Sequence, residues 1–165
     1  FFCVDEFKSI GLNTEWRQIN TSLSVEKYTL RGLHYQREPK TEAKLLRCIS
    51  GSLFDVIVDL RNESDTYGKW CSYSLNETNR DMIYIPQGFA HGFMTTSNNT
   101  EILYAVSEMY SPDYEDTLLW NDPQIDINWP SIFPINSVKA MRGCLYAELN
   151  NNLHEYGILI LLNFL

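Results

Sequence analysis

The sequence predicts an all-β domain, a sandwich or barrel of short strands with a few short helices. Turn signals recur at short intervals, at Ser50-Gly51, Asn62 to Thr66, Asn76 to Asn79, Pro86 to Gly88 and Ser97 to Thr100. The stretches between them are strand-length and rich in β-branched and aromatic residues. Helical periodicity is scarce, and only Val4 to Leu12 reads as a short helix. The chain has 165 residues, 44% of them hydrophobic and 13% aromatic, which suits one domain with a packed core. It contains no internal repeat and no low-complexity linker, so residues 1–165 are taken as a single domain.

The elements follow in order. Lys44 stands ahead of Leu45-Leu46 at a strand start, where a lysine is ordinarily just solvated. In Ser52 to Leu60, Phe54, Val56, Val58 and Leu60 share one parity, with Asp55 and Asp59 on the other, the pattern of a half-buried strand. Met82 to Ile85 and Glu101 to Tyr110 also read as strands. In the second of these, Tyr104 and Tyr110 are six residues apart and share a face with Ile102, Val106 and Glu108. A glutamate there marks the face as the lining of a polar cavity; two core tyrosines with satisfied hydroxyls is the alternative. From Met141 onward the β pattern weakens. Asn150-Asn151-Asn152 should turn, and Ile158 to Leu162 could add a strand or an interface patch.

Charge and composition exclude several function classes. A net charge of −8 repels nucleic acid and anionic membranes unless positive charge is gathered locally. No apolar run approaches the length of a membrane helix, and no signal peptide is visible. Cys3, Cys48, Cys71 and Cys144 have no metal-knuckle or redox-motif spacing and read as reduced thiols of a cytoplasmic protein. Asn-x-Ser/Thr sequons at Asn20, Asn62, Asn76 and Asn98 are only a small excess over chance. The chain opens on Phe1-Phe2 rather than Met, so either a fragment or the loss of an N-terminal segment is expected.

Residues able to do chemistry are few. The histidines are His34, His91 and His154. A lone histidine in a sheet ordinarily pairs with a backbone carbonyl. His34, however, follows Arg31 by three residues across Gly32, and imidazole with guanidinium suits an anionic substrate that undergoes proton transfer. His91 lies in Pro86-Gln87-Gly88-Phe89-Ala90-His91, a Pro-x-Gly-x-x-His pattern found in cupin barrels, where that histidine often binds a metal. The partner motif would supply His-x-His and a glutamate, and here offers only His34 and Gln36. Two histidines without a carboxylate make a poor transition-metal site, so no metal is expected.

Taken together, Leu30 to Gln36 (LRGLHYQ), Lys44 to Cys48 (KLLRC), Phe54 to Arg61 (FDVIVDLR), Ser64 to Trp70 (SDTYGKW), Ile85 to Phe93 (IPQGFAHGF), Tyr110-Ser111-Pro112 and Leu119 to Pro130 (LWNDPQIDINWP) form a series in a recognisable order. The chain resembles the dTDP-4-dehydrorhamnose 3,5-epimerase family from Phe1 to about Lys139. The resemblance implies a cupin-type jelly roll that is metal-free, needs no cofactor and is usually a homodimer. It implies epimerisation of a nucleotide-activated 4-keto-6-deoxy sugar at C3 and/or C5, in deoxysugar biosynthesis of the rhamnose type for surface polysaccharide. The C4 ketone acidifies the protons on both neighbouring carbons. A base removes one, an acid returns a proton from the opposite face, and a cation steadies the enolate oxygen. By resemblance, His34 is the base, Tyr110 the opposing acid and Lys44 the cation. Arg31 grips the diphosphate, Gln18 and Asn20 lie on the nucleotide side, and His91, Tyr104, Glu115 and Lys139 are further substrate-binding residues. Arg31, Lys44 and Arg47 are expected to form the local positive cluster.

Two departures stand out. The family's N-terminal strand, which crosses to the partner subunit and brings an Arg to the nucleotide, has no counterpart ahead of Phe1-Phe2. The family's Ser-x-Lys-Asp motif, whose Asp orients the base, reads Ser137-Val138-Lys139-Ala140 here. Another carboxylate, with Glu148 the candidate, could substitute; otherwise activity falls. The alternative to an epimerase is therefore a cupin-like sugar-nucleotide-binding protein with impaired catalysis. A metal-dependent cupin isomerase or dioxygenase is disfavoured by its ligand count.

Overall fold

The computed structural model describes residues 2–136, 141 and 143–149. One short helix, α1 (Val4–Ser9), precedes ten strands: β1 (Gln18–Ser24), β2 (Thr29–Gln36), β3 (Lys44–Ser50), β4 (Ser52–Asp59), β5 (Trp70–Asn76), β6 (Met82–Ile85), β7 (Phe89–Thr95), β8 (Thr100–Val106), β9 (Glu115–Thr117) and β10 (Ile135–Asn136). The helix stops short of Leu12 because Gly11 takes a left-handed φ of +75° and the amides of Ile10 and Gly11 turn back onto Phe7 and Lys8. The strands form two sheets, ordered β1-β8-β3-β6 and β10-β2-β7-β4-β5, with β9 also paired to β2. Apart from the parallel β10–β2 pair, the paired strands run antiparallel. This is a cupin-type jelly roll.

The interior is divided. On the β3–β6 and β4–β5 side, Leu46, Cys48, Leu53, Ile57, Leu75, Ile83, Ile85, Phe93 and Ile102 pack from both sheets into a dry core. On the β1–β8 and β2–β9 side, the inward residues are polar. In β1 the burial alternates regularly, but Gln18, Asn20, Ser22 and Ser24 point in, while Ile19, Thr21 and Leu23 are exposed. A strand that lines a wet cavity and borders no second layer reverses the usual hydrophobic alternation.

A second apolar layer covers the outer face of the larger sheet. Leu33, Val56, Val58 and Ala90 pack there against Leu118 and Ile125, joined by Phe54, Leu60, Trp70, Trp129, Tyr146 and Leu149. Trp129 seats its ring edge-on to Phe54 and donates its indole N–H to the Trp120 carbonyl at 2.8 Å. The chain after β9 thus forms a lid on the sheet, extended by a bridge between Leu118 and Cys144 and a helical turn over 146–149. The Asn150 to Asn152 turn and the Ile158 to Leu162 strand expected from sequence lie outside the described residues.

This lid corrects the reading of β4 as half-buried. Phe54, Val56 and Val58 face the outer layer, while Asp55 and Asp59, which share the other face with Leu53 and Ile57, are also buried. Each carboxylate is paired through at least one oxygen, although Asp55 Oδ1 is buried without a hydrogen-bond partner among the described residues. Asp55 meets His91, and Asp59 accepts hydrogen bonds from Arg61, Ser64 and Thr66. The strand expected to run to Tyr110 also ends early, at Val106. Ser107 closes onto Ala43, its amide donating to the Ala43 carbonyl and its hydroxyl accepting from the Ala43 amide. Tyr104 and Tyr110 therefore do not share a strand face, and Glu108 pairs with Lys40 at 3.7 Å away from the cavity lining.

One local irregularity sets up everything else. In a regular strand, Arg31 and His34, three residues apart, would point to opposite faces. Between them β2 carries a bulge: Arg31 pairs with Phe93 and His34 with His91, so Gly32 and Leu33 together face Gly92 alone. The extra residue returns His34 to the face of Arg31. Gly32 takes φ +114°, and a Cβ there would collide with the Gly92 Cα and sit 2.6 Å from the His91 carbonyl oxygen.

Gly32→Ala is expected to destabilise the protein by about 3 kcal/mol, from left-handed backbone strain and overpacking against β7. Urea unfolding followed by fluorescence checks this; a midpoint equal to wild type would show that the bulge tolerates a side chain.

Candidate active site

The polar half of the interior is a cavity of about 280 Å³. Gln18, Asn20, His34, Lys44, Tyr104, Tyr110 and Glu115 line it, together with Gln36, Glu42 and Val106. The walls come from opposite sheets. His34 rises from β2, while Lys44 and Tyr104 rise from β3 and β8, where Val106 pairs with both Lys44 and Gln18, and Tyr104 with Leu46 and Asn20.

His34 is half-buried, and its Nδ1 lies 3.0 Å from the Thr117 hydroxyl. The β2–β9 ladder places Thr117 directly opposite His34, so the contact is a cross-strand pair on one face. Lys44 sits on the same face of β3 as Leu46 and Cys48, its side chain largely buried and its Nζ 3.0 Å from Glu42 Oε1. Gln18 donates from Nε2 to Asn20 Oδ1 at 2.8 Å, which fixes the orientation of both amides along β1. Tyr104 is half-buried. Burial pushes its phenol pKa up, the Glu42 carboxylate adds to that, and Arg31 opposes it. Tyr110 stands on the loop after β8, 51% exposed, and donates its hydroxyl to Glu115 Oε2 at 2.8 Å.

Arg31 reaches the same interior, half-buried, with its Nε donating to the Ser24 hydroxyl at 3.2 Å. Arg47 does not join Arg31 and Lys44. It lies on the opposite parity of β3, and its Nε is buried without a hydrogen-bond partner among the described residues. His91 is beside His34 in register but is not part of the cavity lining. Its Nε2 lies 2.8 Å from Asp55 Oδ2, and both side chains are almost wholly buried. Lys139 and Ala140 lie outside the described residues. Glu148 accepts a hydrogen bond from the Leu145 amide at 3.0 Å, within its own turn. Among the described residues no group of three His, Cys, Asp or Glu side chains is arranged to hold a metal.

Several participants were missed in sequence. Gln36, weighed there only as a metal-motif position, is a buried anchor for the Tyr110 loop. Its Oε1 accepts from the Ser111 amide at 2.7 Å, and its Nε2 donates to the carbonyls of Met109 and Lys40. Glu42 holds Lys44, and the signal available for it was a Glu-x-Lys pair of like parity at a strand start. Thr117 was invisible because only the strand register brings it to His34.

The sequence profile of the dTDP-4-dehydrorhamnose 3,5-epimerase family matches residues 1–148. A dTDP-4-dehydrorhamnose 3,5-epimerase of Methanothermobacter thermautotrophicus is 48% identical over 124 residues, 75% of this chain and 66% of that protein. The chain thus spans about two thirds of that relative's length. A crystal structure of the enzyme of that name from Bacillus anthracis, with TDP and PPi bound, is 40% identical, covers 87% of this chain and 82% of its own, and superposes with a TM-score of 0.85. A His-to-Asn, Tyr-to-Phe double variant of a 3'-monoepimerase from Streptomyces bikiniensis, in complex with dTDP, is 27% identical, covers 91% and 76% of the two chains and gives a TM-score of 0.83.

Removing one member of the buried His91–Asp55 pair strands the other. His91→Ala is expected to cost roughly 3–5 kcal/mol of stability, the usual result when a buried pair loses one partner. Asp55→Ala combined with His91→Ala should cost less than the two single changes summed. Chemical denaturation of the three variants measures both; strict additivity would mean that the two side chains do not interact.

Proposed function

This chain belongs to the dTDP-4-dehydrorhamnose 3,5-epimerase family, and from that premise we propose that it epimerises a dTDP-linked 4-keto-6-deoxy sugar at C3 and C5. His34 abstracts a proton α to the C4 carbonyl. Lys44, steadied by Glu42, balances the charge that develops on the enolate oxygen. Arg31 takes the diphosphate through its guanidinium fork, with Gln18 and Asn20 toward the nucleoside. The carbonyl itself acidifies the reacting carbons, so no metal or organic cofactor is required. The molecule works as a homodimer in the cytoplasm; in support, Ile19, Leu23 and Val25 lie exposed along the β1 edge, at 65%, 55% and 60%. No helix among the described residues is long and apolar enough to cross a membrane.

The observation that carries this reading is the opposition of His34 and Tyr104 across one cavity, one from each sheet. Inversion needs a base on one face of the sugar ring and an acid on the other. On that ground we assign the acid to Tyr104 in place of Tyr110, the residue expected from sequence. Tyr110 is bound to Glu115, whose strand pairs with the strand of His34, so its hydroxyl is held on the base's own side. Burial and the Glu42 carboxylate also push the Tyr104 phenol further above its ordinary range, which favours the protonated form an acid needs. In the Streptomyces bikiniensis double variant the two substituted positions are separated by as many residues as His34 and Tyr104.

Deuterium incorporation and product stereochemistry, followed by NMR in D₂O with dTDP-4-keto-6-deoxyglucose, separate the roles. His34→Asn should lower both exchange and inversion by about 10²–10⁴-fold. Tyr104→Phe should lower inversion by a similar factor while exchange at the base side persists. Tyr110→Phe should leave the ratio of inversion to exchange unchanged. If Tyr110→Phe, and not Tyr104→Phe, uncouples the two, the acid is Tyr110. Exchange confined to C3 would make the protein a 3-epimerase.

A further inference from the structure

Proton abstraction needs more than a histidine in the right place. A neutral imidazole carries its proton on either nitrogen, and only the other nitrogen is a base. The choice is set by what the ring's second nitrogen meets. In His34, Nδ1 lies 3.0 Å from Thr117 Oγ1, and the two residues are direct partners in the β2–β9 ladder. Thr117 is itself fixed by its backbone, since its carbonyl accepts from the Cys144 amide at 2.8 Å. Sequence position 140 holds Ala where the family resemblance calls for a carboxylate to orient the base, and a methyl group accepts no hydrogen bond. Glu148, the substitute considered from sequence, accepts from the Leu145 amide of its own turn.

We propose that Thr117 is the positioning residue of His34, its hydroxyl accepting the Nδ1 proton and so making Nε2 the nitrogen that removes the substrate's proton. This rests on the epimerase reading above. A hydroxyl can do the orienting work of a carboxylate, because a single acceptor on Nδ1 fixes both the tautomer and the ring plane. It supplies no negative charge to the imidazolium that forms, so the catalytic contribution is geometric. Thr117 touches neither the reacting carbon nor its proton and acts entirely through His34.

Three variants of the full chain test the assignment. Thr117→Val keeps the shape and removes the hydroxyl, Thr117→Ser keeps the hydroxyl and removes the methyl, and His34→Asn identifies the His34 signals. The readouts are the ¹⁵N shifts of the His34 ring without substrate, and kcat and KM for exchange with dTDP-4-keto-6-deoxyglucose in D₂O. The wild type should show a protonated Nδ1 in the neutral ring. Thr117→Val should lose that preference and lower kcat by about 10–100-fold with KM nearly unchanged. Thr117→Ser should restore both. A Thr117→Val protein with the wild-type tautomer or the wild-type kcat overturns the proposal, as does a loss in Thr117→Ser equal to that in Thr117→Val, which would trace to the methyl and its packing. If the wild type has the Thr117-dependent tautomer but exchanges no deuterium, the epimerase reading fails and Thr117 positions no base.

Discussion

The site depends on one steric fact, the contact of two glycines across β2 and β7. Gly32 can lie against Gly92 only because neither carries a side chain, and the bulge that results shifts the parity of β2 by one residue. Without that shift, a cation and an imidazole three residues apart would point to opposite faces of the sheet. With it, Arg31 and His34 both enter the interior, and Leu33 turns outward to the second apolar layer. The bulge therefore serves packing and chemistry together. The same extra residue fills the outer core and turns the His34 imidazole into the cavity.

The division of the interior follows from what each sheet can bury. The dry core is complete on one side, so the β1–β8 side can hold polar side chains without a loss of cohesion. Those groups are held by partners: near neighbours in the chain for Gln18 with Asn20, Lys44 with Glu42 and Tyr110 with Glu115, and a register partner for His34 with Thr117. A cavity whose groups are mutually fixed changes little when a ligand enters, which is the condition for positioning a reactive carbon. The outer layer matters here as well. Leu118 and Ile125, held by the lid after β9, keep the larger sheet from losing its backing, and β9 is the strand that carries Thr117 and Glu115.

Much of this was legible in sequence, because alternation and turn chemistry are local. The strand at Met82 to Ile85 has the limits read from its residues, and the turns at Ser50-Gly51 and Asn76 to Asn79 separate strands as expected. Most of the failures come from contacts between residues distant in the chain. Nothing local tells that Ala43 will end β8 at Ser107, so Tyr110 was placed on the face of Tyr104. Nothing local tells that the segment after β9 folds back over the sheet, so Asp55 and Asp59 were put on the unburied face of β4. The expected cluster of Arg31, Lys44 and Arg47 fails for a local reason instead: strand alternation sends Arg47 to the face opposite Lys44. Thr117 has an ordinary side chain in an ordinary context, and only the pairing register brings it to His34, whereas Glu42 reaches Lys44 from two residues away.

On the epimerase reading proposed above, the charge balance explains how an acidic protein would hold a dianionic diphosphate. The net charge of −8 is spread over the whole chain, and salt screens charges separated by more than roughly 8–10 Å at ordinary ionic strength. What a ligand meets inside is the local set. Lys44 arrives with Glu42, so that pair is close to neutral toward an approaching anion, and in the proposed reaction its value lies in direction: an ammonium held at a fixed point, where the enolate oxygen would gain charge. Arg31 has a neutral hydroxyl for its neighbour, Ser24, and keeps its full charge for the ligand. Attraction and catalysis are thereby assigned to different cations. The first belongs to the residue that the bulge brings inside, and the second to the residue that a carboxylate holds still. On that reading, exchanging their surroundings would defeat both: an arginine neutralised by a carboxylate would attract an anion poorly, and an untethered lysine would have no fixed position from which to meet the carbonyl.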